Sequence, residues 1–256
     1  MLDLHSHILP GLDDGARTLE DSVEIARAAH ADGIEVIAAT PHVRDDYPTS
    51  ADTMESRVAE VRRALADVGV GVELRPGGEI AVDWLPRLSR DELGRFGLAG
   101  NPRYVLVEMP YYGWPLELPD EVFHLRTAGI TPVLAHPERN ATVQENPERL
   151  RPLVETGALI QLTAASLDGR LGRTSREASL KLLKLGFAHL VASDAHTAGI
   201  RQIGLSAAAR ALGDDVLARW LVRDVPAAIV FDEQLPPRPH RAGRRWFRLR
   251  RLRTPA

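Results

Sequence analysis

Histidines and acidic residues recur along this chain at the ends of short apolar runs. The first run ends in DLHSHILPGLDDGA, where His5 and His7 precede Asp13, Asp14 and Gly15. Imidazole and carboxylate groups bind zinc, iron or manganese, and a set without sulfur suits a hydrolytic centre better than a structural zinc site. Six more residues of these types follow later runs: His42, Glu79, Glu108, His136, Asp194 and His196.

Seven apolar runs are predicted to be the strands that position these residues. Their bounds are Leu2–His5, Glu35–Thr40, Gly71–Arg75, Tyr104–Met109, Thr131–Ala135, Ala158–Thr163 and His189–Ser193. Helix patterns lie between them, the first with a capping signal at Thr18 and Asp21. Near-continuous hydrophobicity, as in YVLVEM, suits strands buried on both faces of a parallel sheet. The alternation predicts an α/β fold of about seven βα units.

A closed barrel of parallel strands would bring their C-terminal ends to one rim, where such barrels place their active sites. Alternation along the first strand sends His5 and His7 to the same side. Taken alone, a His-x-His pair is more often structural, and Asp13 and Asp14 could simply form a turn before Gly15. Taken together, nine candidate ligands exceed the needs of one ion. They predict a cluster of two or three metals that could ionise water near neutral pH and hold phosphoryl oxygens.

Composition excludes several classes of protein. The 256 residues include no cysteine, which rules out disulfides, thiolate metal sites and a phosphatase that works through a phosphocysteine. No apolar run approaches the ~20 residues needed to span a bilayer. The N-terminus lacks the basic and apolar regions of a secretory signal, so we expect a cytoplasmic protein.

The motifs resemble those of the PHP superfamily, named for polymerase and histidinol phosphatase. DLHSH, DDG, ATPH, GGE, LVEMP, AHPER and SDAH occur in the expected order, and the resemblance covers residues 1 to about 232. It is strongest to bacterial manganese-dependent protein-tyrosine phosphatases of capsule and exopolysaccharide synthesis. The resemblance implies a distorted (β/α)7 barrel with a metal cluster at the C-terminal rim of the strands.

The resemblance also implies a role for each residue. Three metals would be held by His5, His7, Glu79 and Asp194, by Glu79, Glu108 and His136, and by Asp14, His42 and His196. Asp13 would remain a turn residue, while Arg139 and Arg201 would bind the phosphate. Guanidinium groups suit this role because they clamp phosphate oxygens at two points. Mn²⁺ is the expected metal, with Fe or Zn as alternatives.

The function implied is hydrolysis of phosphotyrosine on a bacterial tyrosine autokinase that controls polysaccharide chain length. Two alternatives stay open at this point. One is a phosphoesterase on the same fold that acts on histidinol phosphate or a nucleotide. The other is a metal-sensing or scaffolding module without activity, which the complete ligand set disfavours. One departure concerns peptide selectivity, because Val43 stands where the family often has a second histidine, as in TPHH.

The C-terminal residues differ in charge from the rest of the chain. The net charge is −3, but residues 236–256 hold eight arginines and no acid, so the other 235 residues carry 24 basic and 35 acidic side chains, or −11. We therefore expect a domain over 1–235 and a tail over 236–256 that begins as an extended, proline-rich linker. Arginines interleaved with Trp246 and Phe247 favour an anionic membrane surface, at the inner face where the kinase would be anchored. Nucleic acid is a less favoured partner, and a solvated disordered tail is the plain alternative.

Overall fold

Ten short strands form the centre of the protein in a computed structural model that describes residues 1–197 and 202–239. The strands are β1 (Leu2–Ser6), β2 (Val36–Ala39), β3 (His42–Arg44), β4 (Tyr47–Pro48), β5 (Glu73–Arg75), β6 (Glu79–Ala81), β7 (Tyr104–Glu108), β8 (Thr131–Ala135), β9 (Leu159–Thr163) and β10 (Leu190–Ala192). All seven predicted strands are present, and β3, β4 and β6 are additional. Each additional strand has only two or three residues, too few to show a periodic pattern.

Every strand pair is parallel except β3 with β4. The strands form two sheets, in the orders β1-β2-β5 and β10-β9-β8-β7-β6-β3-β4. Two residues separate β2 from β3 and three separate β5 from β6, so each pair forms two halves of one bent strand that passes between the sheets. The first and last strands also meet, since Asp194 N–H donates to His5 O at 2.9 Å and His7 N–H donates to Ala195 O at 2.8 Å. The seven strand positions therefore form a ring, and the predicted distorted barrel is confirmed.

Helices surround this ring. They are α1 (Leu19–Ala31), α2 (Ala51–Asp67), α3 (Arg90–Arg95), α4 (Leu118–Thr127), α5 (Ala141–Glu145), α6 (Arg151–Glu155), α7 (Ala164–Asp168), α8 (Arg173–Leu185), α9 (Leu205–Leu212), α10 (Asp215–Arg219) and α11 (Val225–Val230). Four 3₁₀ turns cover Val82–Arg87, Leu98–Gly100, Pro137–Arg139 and Pro147–Leu150, and a π-helical turn covers Trp220–Asp224. The predicted capping box of α1 is present, because the Thr18 hydroxyl accepts from Asp21 N–H and the Asp21 carboxylate accepts from Thr18 N–H.

The core lies inside the ring and between the ring and its helices. Each of the strands β1, β7 and β9 has five residues, and all of them are buried, as expected of strands covered on both faces. Polar side chains among them concentrate at the C-terminal strand ends, where the candidate ligands lie. Within the described residues, no helix is both long and apolar enough to cross a bilayer.

The first residues of the expected tail are packed on the domain. Arg238 donates from its guanidinium to Ala188 O at 2.7 Å and to Leu183 O at 3.0 Å. The Trp220 indole N–H donates to Pro236 O at 3.1 Å. Ala188 precedes β10, so these contacts lie at the N-terminal ends of the strands. The rest of the predicted tail, from residue 240 on, lies outside the described residues.

Candidate metal centre

All nine candidate ligands lie together at the C-terminal ends of the strands. They form four overlapping groups, within each of which one ligand atom per residue lies within 4.8 Å of the others. The groups are His7, Asp14, His42 and His196; His5, Glu79 and His136; His5, His7 and Asp194; and His42, Glu79 and Glu108. Every member except Asp14 is buried. The barrel therefore converts residues scattered over almost 200 positions into one polar cluster.

Glu79 lies at the centre of this cluster. Its Oε1 is 2.9 Å from His136 Nε2, and its Oε2 is 3.0 Å from His42 Nδ1 and 3.3 Å from His5 Nε2. Oε2 is buried and makes no hydrogen bond with any described residue. Burying a carboxylate oxygen without a hydrogen bond is costly. A cation shared with the neighbouring ring nitrogens would remove that cost, so the position of Glu79 fits a metal centre.

His5 and His7 provide a second test of this fit. Their Nε2 atoms face one another at 3.2 Å, and both lie within 3.5 Å of Asp194 Oδ1. Two imidazole nitrogens in such contact can share only one proton, whereas each can offer a lone pair to a metal ion. The donor set of nitrogen and oxygen atoms is one that zinc, iron and manganese accept.

The outer nitrogens of three histidines are fixed by hydrogen bonds. His5 Nδ1 faces Gln161 Oε1 at 3.0 Å, His7 Nδ1 faces Asp13 Oδ2 at 2.7 Å, and His196 Nδ1 faces Asp194 O at 2.9 Å. Because each oxygen is an acceptor, each Nδ1 carries the proton and leaves Nε2 for the cluster. Metal-binding histidines are commonly oriented in this way. Gln161 was missed in the sequence, where the end of this strand showed no ionisable group.

The three residues of the DDG motif, Asp13, Asp14 and Gly15, make different contacts. Asp14 Oδ1 lies 3.1 Å from His196 Nε2 and 3.4 Å from His42 Nε2, within the cluster. Asp13 accepts from Gly15 N–H at 2.9 Å, as a turn residue would, but it also holds His7. Asp13 is therefore the turn residue that was expected, and it has the additional role of orienting His7. Gly15 passes so close to His7 that a Cβ at residue 15 would lie 2.2 Å from its carbonyl oxygen.

Crowding shifts several pKa values in the cluster. Burial, reinforced by the charge of Glu79, raises the pKa of Glu108 to about 7. Burial lowers the pKa of His136 to about 4. For His42 the effect of burial is outweighed, chiefly by the charge of Glu79, and its pKa rises to about 9. The proton on His42 balances part of the carboxylate charge, and a bound metal cation would displace it.

Two of the candidate ligands adopt left-handed backbone conformations. His136 has φ 34° and ψ 49°, and Asp194 has φ 54°. Non-glycine residues rarely adopt these angles, which cost of order 1–3 kcal/mol and recur at functional sites. Around His136 the chain is held by the Glu138 carboxylate, which accepts from Thr163 N–H at 2.9 Å. The strained turns direct both side chains inward immediately after their strands end.

Arginines line the cluster. Arg139 donates to Asp194 Oδ2 at 2.7 Å, and its guanidinium lies over the Tyr111 ring with Cζ 4.6 Å from the ring centroid. Arg44 was not predicted, yet it donates to Glu108 Oε2 at 3.0 Å. Alternation places Arg44 on the same side of β3 as His42, which is the signal that could have revealed it. Arg201 lies outside the described residues.

Comparison with known proteins identifies the family. Residues 1–226 match the model of the family described as capsular polysaccharide synthesis, CpsB/CapC. The chain is 37% identical over 203 residues to the tyrosine-protein phosphatase YwqE of Bacillus subtilis, covering 78% of this chain and 79% of that protein. It is 26% identical over 204 residues to the tyrosine-protein phosphatase CpsB of Streptococcus pneumoniae, covering 77% and 83%.

Solved structures agree with this result. One of them belongs to the crystal structures of YwqE from Bacillus subtilis and CpsB from Streptococcus pneumoniae, which are described as unique metal-dependent tyrosine phosphatases. It superposes with a TM-score of 0.83 at 32% identity, covering 94% of this chain and all of that one. A histidinol phosphate phosphatase from Lactococcus lactis shares the fold alone, with a TM-score of 0.50 at 16% identity over 81% of this chain and 91% of its own. The predicted kinship is confirmed, and the chain belongs to the CpsB/CapC family of capsular polysaccharide synthesis.

Proposed function

We propose that this chain is a metal-dependent protein-tyrosine phosphatase that hydrolyses phosphotyrosine on a bacterial tyrosine autokinase of capsule or exopolysaccharide synthesis. The observation that carries the proposal is the convergence of nine candidate ligands around Glu79. Membership of the CpsB/CapC family supports the same activity. The absence of cysteine from the sequence excludes a phosphocysteine intermediate, which agrees with metal-assisted hydrolysis.

Three metal positions would be formed by the nine residues. His5, His7 and Asp194 would contribute to one, His42, Asp14 and His196 to another, and Glu108 and His136 to a third, with Glu79 shared between neighbours. Mn²⁺ is the metal we favour, with Fe and Zn as alternatives, because the ligands are nitrogen and oxygen atoms alone. Bound metal ions would supply a water of lowered pKa and neutralise charge on the phosphoryl group.

The residues of the chain bind and orient the substrate. Arg139 donates to Asp194 and its side chain is 15% exposed, so we infer that it also donates to phosphoryl oxygens placed over the cluster. Arg201 is proposed as the second phosphate-binding arginine. The buried acceptors behind His5 and His7, which are Gln161 Oε1 and Asp13 Oδ2, keep the two rings in place during hydrolysis.

We also propose a cellular arrangement. Residues 1–235 would form the phosphatase domain in the cytoplasm, and residues 236–256 would bring it to the inner face of the membrane. Seven arginines follow Arg238 in the sequence, which supports attraction to anionic lipids. Nucleic acid remains the less favoured partner for the tail.

The test is hydrolysis of matched substrates by the purified full chain, together with elemental analysis. After chelator treatment and addition of Mn²⁺, we expect release of phosphate from a phosphotyrosine peptide from the tail of an autokinase. We expect much slower release from the same peptide with phosphoserine and from histidinol phosphate. Two or three equivalents of metal should be retained per chain. Faster turnover of histidinol phosphate than of the phosphotyrosine peptide would refute the proposed substrate.

A further inference from the structure

An aromatic loop follows β7 directly after Glu108. Its sequence is MPYYGWPL, residues 109–116, and three of its large side chains are exposed. Tyr112 is 83% exposed and Leu116 is 84% exposed, while Tyr111 is 37% exposed. Large apolar side chains in the open at the rim of a polar site indicate a surface that contacts a ligand.

Hydrogen bonds hold this loop in place. The buried Asn140 amide donates to Pro110 O at 2.6 Å and to Gly113 O at 2.8 Å. Ala141 N–H donates to Tyr111 O at 2.9 Å. These donors lie immediately after Arg139, so the loop and the candidate phosphate-binding arginine are fixed to one another. The position of the Tyr111 ring is therefore set by the same turn that sets Arg139.

The Tyr111 ring lies between the cluster and the solvent. Its centroid is 6.1 Å from that of His136 and 4.6 Å from Arg139 Cζ. The arginine covers one face, and the exposed remainder of the ring is open at the mouth of the site. The contacts of the Tyr111 side chain with the site are made by its ring, through Arg139 and His136.

We propose that Tyr111 is the residue that selects aryl phosphates, by packing its ring against the phenyl ring of the substrate phosphotyrosine. This inference rests on the proposed function. The phenyl ring of phosphotyrosine is joined to phosphorus through one oxygen, so a phosphoryl group beside Arg139 places that ring next to Tyr111. Aromatic rings attract one another in offset or edge-to-face arrangements, and the alkyl chain of phosphoserine offers no such partner.

The test compares two inhibitors that carry a phenyl group and a methyl group, respectively, on the same phosphonate. Phenylphosphonate and methylphosphonate carry the same phosphonate group and are not hydrolysed. Their inhibition constants are measured on the Mn²⁺-loaded full chain, and the ratio of the two constants isolates the contribution of the ring. We expect the wild-type chain to favour phenylphosphonate. Tyr111→Ala should reduce that preference about tenfold, and Tyr111→Phe should retain it.

A second effect of the substitution must be separated from the first. Tyr111 also packs on Arg139, so Tyr111→Ala could weaken phosphonate binding in general, but such a loss would affect both inhibitors equally. A ratio unchanged by Tyr111→Ala would overturn the inference while leaving the phosphatase function intact. A wild-type chain that binds neither phosphonate and hydrolyses no phosphotyrosine peptide would overturn both. Phe123→Ala, on the exposed face of α4, is the matched control and should leave the ratio unchanged.

Discussion

Asp13 Oδ2 accepts a hydrogen bond from the ring of His7 at 2.7 Å and another from His42 N–H at 3.1 Å. One carboxylate oxygen thus orients two candidate ligands that are 35 residues apart in the sequence. Burial would raise the pKa of Asp13, but the charge of His7 and its hydrogen bond outweigh burial and lower the pKa. Asp13 therefore stays ionised and directs His7 Nε2 toward the cluster.

Replacing this carboxylate should weaken metal binding. Asp13→Asn keeps one acceptor but removes the charge, and partners of this kind typically contribute 10–100-fold to metal affinity or activity. We expect the Mn²⁺ concentration that gives half-maximal activity to be at least about tenfold higher in the variant than in the wild type. Calorimetry should show the same loss of affinity. Asp45→Asn is the control, because Asp45 is exposed and pairs only with Arg87 among the described residues. Equal Mn²⁺ requirements in the two variants would contradict the role of Asp13.

Glu79→Gln should remove activity without unfolding the barrel. The amide cannot supply the negative charge that Glu79 places among His5, His42 and His136. Loss of several kcal/mol of charge stabilisation corresponds to a fall in kcat of about 1,000-fold or more. His136→Ala should behave similarly. Circular dichroism checks the fold, and near-wild-type turnover after chelation and readdition of Mn²⁺ would show that these side chains are not ligands.

His189 should make stability depend on pH. Burial, with the charge of Arg238, lowers its pKa to about 4 in the folded chain, against about 6.5 when unfolded. Between these values the unfolded state binds the proton and the folded state does not, so stability is lost as pH falls from 6.5 toward 4. The loss is about 3 kcal/mol at pH 4.

The measurement is urea unfolding of the full chain at pH 7 and pH 4. In the wild type, Ile160 N–H donates to His189 Nδ1 at 3.1 Å. The variant His189→Asn keeps an acceptor for this N–H but has no group that titrates. The drop in unfolding free energy between the two pH values should be about 3 kcal/mol smaller in this variant. His124→Asn, on the exposed face of α4, is the control and should show the wild-type drop. The same drop in unfolding free energy in the wild type and both variants would show that the His189 ring is not buried in its neutral form.

The arginine tail should carry membrane binding and no catalysis. Truncation after Pro239 preserves the contacts of Arg238 and Pro236 with the domain and removes the seven arginines beyond them. The full chain should co-sediment with vesicles containing phosphatidylserine at low salt, and the truncated chain should not. Both should hydrolyse a soluble phosphotyrosine peptide at the same rate. Equal, negligible sedimentation, or sedimentation that occurs equally with neutral phosphatidylcholine, would refute the membrane role.

The metal centre could be predicted from the sequence because its candidate ligands lie at strand ends. His42, Glu108 and His136 each follow or end an apolar run, and parallel strands bring such ends together whatever the detailed geometry. The ring of strands and the shared position of the nine candidate ligands could therefore be predicted. Their assignment to particular metals remains a prediction.

Supporting residues were harder to predict, because their role depends on distance rather than order. Gln161 contacts His5 across 156 positions of sequence, and nothing local marks that pairing except a polar residue inside the apolar run LIQLT. Tyr111 reads as an ordinary loop aromatic until its ring is seen beside Arg139. Short strands such as β6 were also missed, because three residues after a Pro-Gly-Gly turn carry no periodicity.

The contacts of Arg238 place the C-terminal segment at the end of the barrel opposite the metal cluster. The chain leaves the described domain beside Ala188 and Leu183, at the opposite end of the strands from Glu79 and its neighbours. If the arginines beyond residue 239 bind a bilayer, they connect it to the end of the barrel opposite the cluster. A phosphotyrosine segment tethered to the same bilayer would then have to extend past the length of the barrel to reach the metal cluster. Tether length, and not only the residues around the phosphotyrosine, would decide which tyrosines are dephosphorylated.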